Sequence, residues 1–438
     1  MSVIFDSLDT FMTWFQHLSI SSIINTYWFI FFIEIPRYYL FEIIIIAYNV
    51  LTYKRLEKKR FYARFRLFKD NPLVTILVPG KNEGKNIFKL VKSLREQTYK
   101  NYEIIIVDDG SDDFTPLICS DLERHGFIDL YLRCGVRGGK ASAANYGAFH
   151  AKGKYIVHLD ADSSLDRDAI EKILMPFYLD PKVKAVGGTV KVRNYKDSIC
   201  ASMQAIEYLK TIMVGRQVTN TLGILHIISG AFGAFEVETL KKIGYWDIGP
   251  GLDGDITQKI RKAGWKVSHA ADAVCLTNVP VKWTVLFKQR LRWSKSLIRF
   301  RIRKHRDILY PNRNWSLSNF VSNMESIIFD CVFNYIWLFY FIGLITRFNN
   351  HIFEVMLLDF LIRFCLSLVA FGVILTVTER KREELFLVRF LPLSSLYTGY
   401  FMRFVRLIAH TKELFFFSSY KDPWNPEKTS RYAQLERA

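Results

Sequence analysis

YIVHLDADS, residues 155–163, joins a short apolar segment to a pair of acidic residues. The apolar, β-prone residues predict a buried strand that runs directly into Asp160 and Asp162. Two carboxylates one residue apart at the end of a strand point to the same side and repel each other unless a cation lies between them. Such hard oxygen ligands suit Mg²⁺ or Mn²⁺, and an ion held there needs a diphosphate as its other partner. An isolated motif of this kind is more often a solvated acidic turn, so the neighbouring motifs decide.

The composition combines features of a membrane protein and of a soluble domain. The 438 residues are 50% hydrophobic and 23% charged, which is too apolar for an ordinary soluble protein and too charged for a pure membrane bundle. The formal net charge is +18, and the basic residues crowd beside apolar segments, which favours a lipid surface over nucleic acid. The six cysteines are scattered without a CxxC motif and are typical of reduced thiols in a cytosol-facing protein.

Residues 1–70 predict an N-terminal membrane segment followed by a basic linker. Residues from about 27 to 51 are strongly apolar and long enough to span a bilayer. Charged residues and Pro36 interrupt this run, so two short buried helices broken at Pro36 are the alternative. Lysines and arginines crowd residues 54–69, and the positive-inside rule places that side in the cytoplasm and the N-terminus outside.

Residues 71–282 predict an α/β domain. LVTILVPG (73–80) and YEIIIVDDGS (102–111) predict strands, and the helical spacing of residues 83–97 between them predicts a parallel, right-handed crossover. Ligands of such doubly wound, Rossmann-like sheets bind at the carboxyl ends of the strands. No GxGxxG motif follows the first strand, which argues against Rossmann-type dinucleotide binding. The acidic residues expected at this edge are Glu83, Asp108, Asp109, Asp160 and Asp162.

A basic, glycine-rich loop, RGGK at residues 137–140, lies between the second strand and the strand that ends at Asp160. Its glycines permit a close approach of the backbone, and Lys140 supplies a positive charge for phosphate oxygens. A plain loop before a helix is the alternative. The phosphate interpretation gains weight from the acidic pair beside it.

The ordered motifs VPGKNE, VDDGS, RGGKASAAN, DADS, ISGAFGAF, GYWD, GLDGDIT and QRLRW resemble those of the processive membrane glycosyltransferases of family 2. That group includes hyaluronan, chitin, poly-N-acetylglucosamine and cellulose synthases. The resemblance covers about residues 72–300 and implies a GT-A fold that uses a nucleotide-activated sugar. A cytosolic GT-A domain is therefore expected between transmembrane and interfacial helices.

The resemblance implies a donor site at the strand ends. The aspartates of VDDGS are expected to bind uridine, and a structural Asp-Gly turn is the alternative. The acidic pair is expected to hold the nucleotide and a divalent ion that neutralises the leaving diphosphate. The expected donor-nucleotide residues are Glu83, Asp108, Asp109, Lys140 and Asp160, and the expected ligands of Mg²⁺ or Mn²⁺ are Asp160 and Asp162.

HIISGAFGAF, residues 226–235, predicts an apolar strand followed by a turn of small residues. Ser229 and Gly230 leave room for a sugar ring to approach the backbone, and the resemblance places this turn at the acceptor site. GYWD adds Trp246, whose flat apolar face suits the C–H face of a sugar, although a buried core tryptophan fits equally well.

GPGLDGDIT, residues 249–257, carries a further acidic pair. The resemblance implies that Asp253 is the general base, which takes the proton of the acceptor hydroxyl as that oxygen attacks the anomeric carbon. Leu252 stands where the family more often has an acidic residue, so Asp255 stays the alternative base, although it fits a helix N-terminus better. Direct displacement inverts the anomeric centre, so an α-linked donor gives a β-linked product.

QRLRW, residues 289–293, lies in a helical stretch within an interfacial region predicted for residues 283–320. Gln289, Arg292 and Trp293 share one helix face. This is the QxxRW pattern of the processive members that the chain resembles. Arg292 is expected to hold diphosphate oxygens, and Trp293 is expected to stack under the acceptor sugar. A basic amphipathic helix on the membrane is compatible with both roles.

Residues 321–417 predict a transmembrane and interfacial region. Residues from about 324 to 345 and from about 355 to 377 are each about as long as a bilayer is thick. Residues 385–417 hold many charges and predict an interfacial segment followed by a possible span. If that last piece spans the membrane, the tail at 418–438 lies outside, and otherwise it lies inside.

These patterns predict a multi-pass protein of the bacterial inner membrane with its catalytic domain in the cytoplasm. We expect it to polymerise one UDP-activated sugar, UDP-N-acetylglucosamine before UDP-glucose, and to pass the product through its own helices. A non-processive transferase that loads one sugar onto a lipid phosphate is the alternative enzyme, and an export subunit that merely inherited the domain is the non-enzymatic one. The expected partners are the donor, the growing polysaccharide, the lipid bilayer and possible export or accessory subunits.

Overall fold

Within the described residues, eight strands form one mixed sheet. The computed structural model describes residues 10–247, 251–312 and 315–421. The strands are β1 (Val74–Gly80), β2 (Tyr102–Asp108), β3 (Leu130–Arg133), β4 (Tyr155–Leu159), β5 (Ser164–Leu165), β6 (Val183–Val192), β7 (Phe232–Glu236) and β8 (Lys266–Thr277). Their order across the sheet is β3-β2-β1-β4-β7-β6-β8-β5.

One half of the sheet, β3-β2-β1-β4, is parallel. β1 pairs in parallel with β2 and β4, and β2 pairs in parallel with β3. β7 runs antiparallel to both of its neighbours, β4 and β6. The predicted α/β class is confirmed, and the register of β1 with β2 aligns Gly80 with Asp108. The strand-end residues predicted to converge therefore lie at one edge of the sheet.

Helices cover both faces of the sheet and continue beyond it. The helices are α1 (Ile20–Thr26), α2 (Phe41–Asp70), α3 (Gly84–Arg95), α4 (Thr115–Arg124), α5 (Lys140–His150), α6 (Ala169–Leu179), α7 (Ile199–Tyr208), α8 (Arg216–Thr221), α9 (Val237–Ile243), α10 (Leu252–Lys262), α11 (Trp283–Leu297), α12 (Leu317–Ser326), α13 (Phe333–Arg347), α14 (Ile352–Val377), α15 (Lys381–Glu384), α16 (Leu391–Leu396) and α17 (Met402–Phe416). Residues 10–16 are also helical.

Alternation along the strands divides the apolar core between the two faces. Ile76 and Val78 belong to one buried cluster, whereas Leu77, between them, belongs to the other. Helix α5 covers the second face very closely, because a Cβ atom at Gly147 would overlap the side chains of Leu77 and Val107. This close packing fixes the first residue of α5, Lys140, beside the strand ends.

The predicted order of strand and turn in residues 226–235 is wrong. The small residues Ser229 and Gly230 come before the strand, and the strand is β7, which starts at Phe232. The small-residue turn comes first because the segment at Ile228 crosses closely over β7. A Cβ atom at Gly233 would overlap the Ile228 side chain, so this strand needs its glycine.

Three helical segments of the described residues are long and apolar enough to cross a membrane, judged by length and composition. They are Leu317–Arg347, Asn349–Val377 and Lys381–Phe416. The first two contain the spans predicted at 324–345 and 355–377. The segment predicted at 27–51 is not among them, because Glu34, Arg37 and Glu42 interrupt its apolar run. It also contains π-helical turns at Ile30–Glu34 and Pro36–Leu40 before α2 begins.

Charged residues inside the apolar helices are paired with one another. Arg363 on α14 donates to Glu34 at 2.6 Å and to Asp359 at 2.8 Å. Arg403 on α17 donates to Glu34, and Tyr400 donates to Asp359. Removing one member would leave a buried charge without its partner, so the network holds the N-terminal segment against α14 and α17.

The two ends of Lys381–Phe416 contact different parts of the chain: one contacts the sheet, and the other contacts the segment that follows α11. At one end, Lys191 on β6 forms a 2.6 Å ion pair with Glu384. At the other, Arg303 forms a 2.9 Å ion pair with Glu413, which is fully buried. Between these ends the helix is interrupted by a 3₁₀ segment at Leu385–Phe390 and a π-helical turn at Tyr397–Phe401. The segment is therefore bent back on itself and is not one straight helix.

Candidate active site

The loops at the carboxyl ends of β1, β2 and β4 meet the segment before β7 and the start of α10. Lys140 forms an ion pair with Asp160, and its Nζ lies 3.4 Å from the backbone oxygen of Gly230. A Cβ atom at Gly230 would overlap the carboxylate of Asp253. Lys140 and Asp160, predicted on the donor side, therefore meet the predicted base Asp253 around Gly230.

The two aspartates of VDDGS are engaged by the chain's own donors. Asp108 accepts a hydrogen bond from the backbone of Ser111 at 2.7 Å and another from the Tyr131 hydroxyl at 3.0 Å. Asp109 accepts from the backbone N–H groups of Gly138 and Gly139 at 2.7 and 2.9 Å. Asp109 thus fixes the basic loop in front of Lys140. Contacts of either aspartate with uridine remain a prediction.

In the described part of the chain, the acidic pair after β4 has one ion pair, between Lys140 and Asp160. Burial, followed by the neighbouring charges of Asp160 and Glu83, raises the pKa of Asp162 to about 6. The Thr277 hydroxyl donates to Asp162 at 3.2 Å, and Lys140 neutralises only Asp160 directly. This repulsion is the electrostatic signature expected of carboxylates that bind a cation.

Two carboxylates make an incomplete metal site. Among the described residues, no group of three or more His, Cys, Asp or Glu side chains is arranged to hold a metal ion. Mg²⁺ and Mn²⁺ are commonly held by one or two carboxylates together with substrate phosphates and water. The donor set of Asp160 and Asp162 therefore fits an ion that arrives with a diphosphate.

Asp253 faces the acidic pair from the first turn of α10. Burial raises the pKa of its carboxyl, while Lys140 and the Gly230 backbone N–H oppose that rise. A carboxylate with a raised pKa, next to a residue without a side chain, is suited to accept a proton from a ligand.

Asp255 has a different environment. Its side chain is 2% exposed, and its two oxygens accept hydrogen bonds from Lys304 at 2.6 Å and from His305 at 2.8 Å. Lys304 also pairs with Asp247. Asp255 therefore ties the start of α10 to the interfacial segment that follows α11, and the geometry favours Asp253 as the base.

We expect Asp255→Asn to destabilise the protein without removing the proton acceptor. The substitution leaves Lys304 and His305 next to a neutral side chain, which is expected to lower the free energy of unfolding by about 2–3 kcal/mol. Thermal unfolding of the purified membrane protein measures this loss. Asp180→Asn, which changes a partly exposed pair with Lys266, is the matched control and should shift unfolding much less.

The predicted acceptor residues occupy two different positions. Ser229 and Gly230 form the turn before β7, and Gly230 lies against the Asp253 carboxylate. Trp246 lies beneath this turn, is 2% exposed, and packs against His158 and Phe235 at ring-centroid distances of 5.7 and 5.5 Å. Its position is that of a core tryptophan. Trp246 packs against His158, and His158 in turn forms a 2.6 Å hydrogen bond with the backbone oxygen of Gly230, so Trp246 supports the turn indirectly.

The QRLRW motif lies on α11 as predicted, with Trp293 41% exposed. The guanidinium of Arg290 lies over the Trp293 ring at 4.5 Å and donates to Glu207 at 2.8 Å. Tyr397 also donates to Glu207. Arg290 thus joins α11 to α7 and to the bent C-terminal segment. This role was not predicted, because the motif shows only that a basic residue stands at this position.

The other predicted residues of this face are placed as follows. Arg292 is half-buried and interacts with neighbouring groups, and the buried Oε1 of Gln289 has no hydrogen-bond partner among the described residues. On the donor side, Glu83 precedes α3 and accepts from Asn86 at 2.8 Å. Burial raises the pKa of Glu83, and the nearby Asp160 adds to the rise.

Two residues near the site carried no sequence signal. Tyr208 ends α7 and Arg216 begins α8, and both interact electrostatically with residues of the site. Neither belongs to a motif, since their helices lie far from the strand ends in sequence. Only the folded chain brings them to Asp253.

The strand order, the acidic pair at the end of β4 and the basic loop before α5 define a GT-A glycosyltransferase fold. Residues 75–244 match the family model described as glycosyl transferase family 2. The chain therefore carries a family 2 glycosyltransferase domain, as the motif resemblance predicted.

The chain is also similar to curated polysaccharide synthases. It is 33% identical over 226 residues to a poly-beta-1,6-N-acetyl-D-glucosamine synthase of Staphylococcus epidermidis, and 34% identical over 224 residues to a synthase of the same name from Staphylococcus aureus strain COL. Each alignment covers 51% of this chain and 54% of the relative. The chain thus spans about half the length of the curated relatives it matches.

A solved structure shares the fold. The mannosyltransferase from Pyrobaculum calidifontis in complex with GDP-Man and Mn²⁺ superposes with a TM-score of 0.52 and 21% sequence identity. The match covers 82% of this chain and 99% of the mannosyltransferase. At this identity the likeness concerns the fold alone.

Proposed function

We propose that the protein is a membrane glycosyltransferase that polymerises a UDP-activated sugar with inversion at the anomeric carbon. The observation that carries this proposal is the convergence of Lys140, Asp160 and Asp162 with Asp253 around Gly230. UDP-N-acetylglucosamine is the favoured donor, because the curated relatives are named poly-beta-1,6-N-acetyl-D-glucosamine synthases. UDP-glucose is the second candidate.

The donor side would hold a sugar nucleotide and a divalent ion. Asp160 and Asp162 are the ligands proposed for Mg²⁺ or Mn²⁺, which when bound offsets the negative charge of the diphosphate. Lys140 pairs with Asp160 in this structure and can form an ion pair with a phosphate oxygen instead. Asp109 holds the glycine-rich loop in place, and this loop presents Lys140 at the start of α5.

The transfer step follows from the position of Asp253. A hydroxyl of the acceptor sugar forms a bond to the anomeric carbon as the bond from that carbon to the UDP oxygen breaks. The hydroxyl proton passes to Asp253, and UDP leaves with the electron pair. Because attack and departure occur on opposite faces, an α-linked donor yields a β-linked product.

The acceptor side would continue along α11. Trp293 offers an exposed aromatic face, and Gln289 and Arg292 lie on the same side of the helix. A stacking surface next to the catalytic cavity suits a polymer that stays bound between additions, which is why polymerisation is preferred to a single transfer onto a lipid phosphate.

Purified protein in lipid nanodiscs tests the proposal. It is incubated with UDP-N-acetylglucosamine and with UDP-glucose separately, with Mg²⁺ or Mn²⁺, and UDP release, product length and digestion by linkage-specific glycosidases are recorded. Long products from one donor support the proposal. Products of one added sugar favour the lipid-phosphate alternative, and no UDP release from either donor contradicts a glycosyltransferase.

The bent segment Lys381–Phe416 predicts the side on which the described chain ends. Its two ends contact residues of the catalytic region, Lys191 and Arg303, so we expect both ends in the cytoplasm. A cysteine placed at the exposed Lys412 should react with a membrane-impermeant maleimide in inside-out vesicles and not in intact spheroplasts.

The control uses the turn between the two apolar segments Leu317–Arg347 and Asn349–Val377. Asn350→Cys, also at an exposed position, should show the opposite pattern, and both variants carry Cys365→Ser to remove the exposed native thiol. Labelling of Lys412→Cys from outside would mean that the third segment crosses the membrane after all.

A further inference from the structure

Arg216 is a cation beside the proposed base that lacks a matching partner. It begins α8 directly after the π-helical turn Leu209–Gly215. Its Nη1 atom is buried and has no hydrogen-bond partner in the described part of the chain. A buried guanidinium nitrogen left without an acceptor is costly, so such a group usually serves a ligand or an ordered water.

The charge that Arg216 faces is Asp253. The two side chains interact electrostatically, yet no ion pair within 4.0 Å joins them in the described residues. A guanidinium and a carboxylate that lie near each other without pairing can share one ligand. A hydroxyl-rich ligand could donate to Asp253 and accept from Arg216.

The other neighbours of Arg216 are neutral or aromatic. His226 and His269 are kept uncharged because burial, and then nearby arginines including Arg216, lower their pKa values. Tyr208 is 5% exposed and lies between Arg216 and Arg290. In the described part of the chain these side chains supply no carboxylate to Nη1 of Arg216, so this nitrogen is available to an oxygen of a ligand.

The donor diphosphate is not the best match for this cation. Lys140 interacts with Asp160, Asp162 and Asp253, whereas the charges that act on Arg216 are those of Asp253 and Tyr208. Arg216 therefore acts on the proposed base, whereas Lys140 acts on both the base and the acidic pair. Burial lowers the pKa of Arg216 to about 10, so it stays charged at neutral pH.

We propose that Arg216 binds the acceptor sugar, donating from Nη1 to one of its oxygens and thereby holding the attacking hydroxyl against Asp253. This inference rests on the proposed glycosyltransferase function and adds a residue that positions the acceptor. The terminal sugar of the acceptor would lie between Arg216 and Asp253, with the donor beyond Asp253 on the side of Asp160 and Asp162.

Separate measurements on donor and acceptor test this assignment. Arg216→Met should raise KM for a short N-acetylglucosamine oligosaccharide by about 10- to 100-fold, the usual loss for a hydrogen bond to a charged group. KM for the UDP-sugar and binding of UDP should stay unchanged. UDP released by hydrolysis, with water as the acceptor, should also be maintained. Arg216→Lys, which keeps the charge but loses the planar geometry, should give a smaller rise.

The matched control is Arg60→Met, which removes a partly exposed arginine on α2 that pairs with Asp272. It should change neither KM. A rise in the donor KM equal to that of the acceptor, or no change in either, overturns the role of Arg216. If Arg216→Met fails to fold, Arg216→Lys carries the same comparison. Failure of the wild-type protein to release UDP overturns the proposed function itself.

Discussion

Asp253→Asn is expected to lower kcat for sugar transfer by about 10²- to 10⁴-fold, the usual contribution of a positioned general base. Asparagine preserves the shape of the side chain but cannot take the hydroxyl proton at the moment of attack. Binding of the UDP-sugar should be unchanged, because the proposed donor contacts lie on Asp160, Asp162 and Lys140. Sugar incorporation and UDP release from purified protein measure kcat, and calorimetry with UDP measures donor binding.

Asp255→Asn is the internal comparison for this prediction. Asp255 is two residues away in the same helix turn, but its oxygens are occupied by Lys304 and His305. Its variant should lose stability while the folded fraction keeps a kcat near that of the wild type. The reverse pattern, with Asp255→Asn inactive and Asp253→Asn active, would move the base by two residues and contradict the assignment.

The same base gives a pH dependence of defined sign. Transfer needs the Asp253 carboxylate, so kcat should fall as the pH drops through its pKa. Burial raises that pKa above its ordinary value of 3.8 and Asp160 adds to the rise, whereas Lys140, the Gly230 N–H and Arg216 oppose it. Protonation of Asp162, whose pKa is raised to about 6, would also lower activity, so the profile is recorded at saturating Mn²⁺. The acid limb of the wild type should then lie above 3.8, and Asp253→Asn should lose the part of it that reports this base.

The sequence was sufficient for the parts of the fold that have strong local patterns. The apolar runs that became β1, β2 and β4 are buried on both sides, so their composition alone predicts strands. The segment before β7 was assigned in the wrong order, because a run of glycine, alanine and serine has no periodicity. Its turn is set by tertiary contacts such as that between Ile228 and Gly233.

The candidate site divides in the same way. Asp109, Lys140, Asp160 and Asp162 were found because strand ends and glycine-rich loops bring ligand-binding residues to one edge of a parallel sheet. Arg216 was missed because the residue sits on a short helix whose position depends on the packing of α7 and α8. No spacing in the sequence links that helix to Asp253.

Charged residues in the apolar segments show the limit of hydropathy. Glu34 and Arg403 argued against simple lipid-facing spans, and the structure places both in one buried network with Arg363. Glu413 is fully buried and forms an ion pair with Arg303, so the charges of the last segment join helices to one another. Composition records the presence of these charges, and only the fold reveals which of them pair.

Loss of both proposed metal ligands is expected to be as damaging as loss of the base. Asp160→Asn with Asp162→Asn should lower kcat by about 10³-fold or more, since the ion contributes several kcal/mol of charge stabilisation to the leaving diphosphate. Burial, and then the charges of Asp160 and Glu83, raise the pKa of Asp162, and a cation would relieve the part due to charge. Chelation of the divalent ion in the wild type should have an effect of similar size.

A binding measurement separates this role from a merely structural one. In the wild type, calorimetry should show UDP binding that strengthens when Mn²⁺ is added, and the double variant should bind UDP equally with and without the ion. Asp180→Asn, an Asp-to-Asn change outside the cavity, should keep the Mn²⁺ dependence. The double variant also removes the partner of Lys140, so unfolding temperatures are compared first. Sugar transfer that survives the double substitution would show that Asp160 and Asp162 form only an acidic turn.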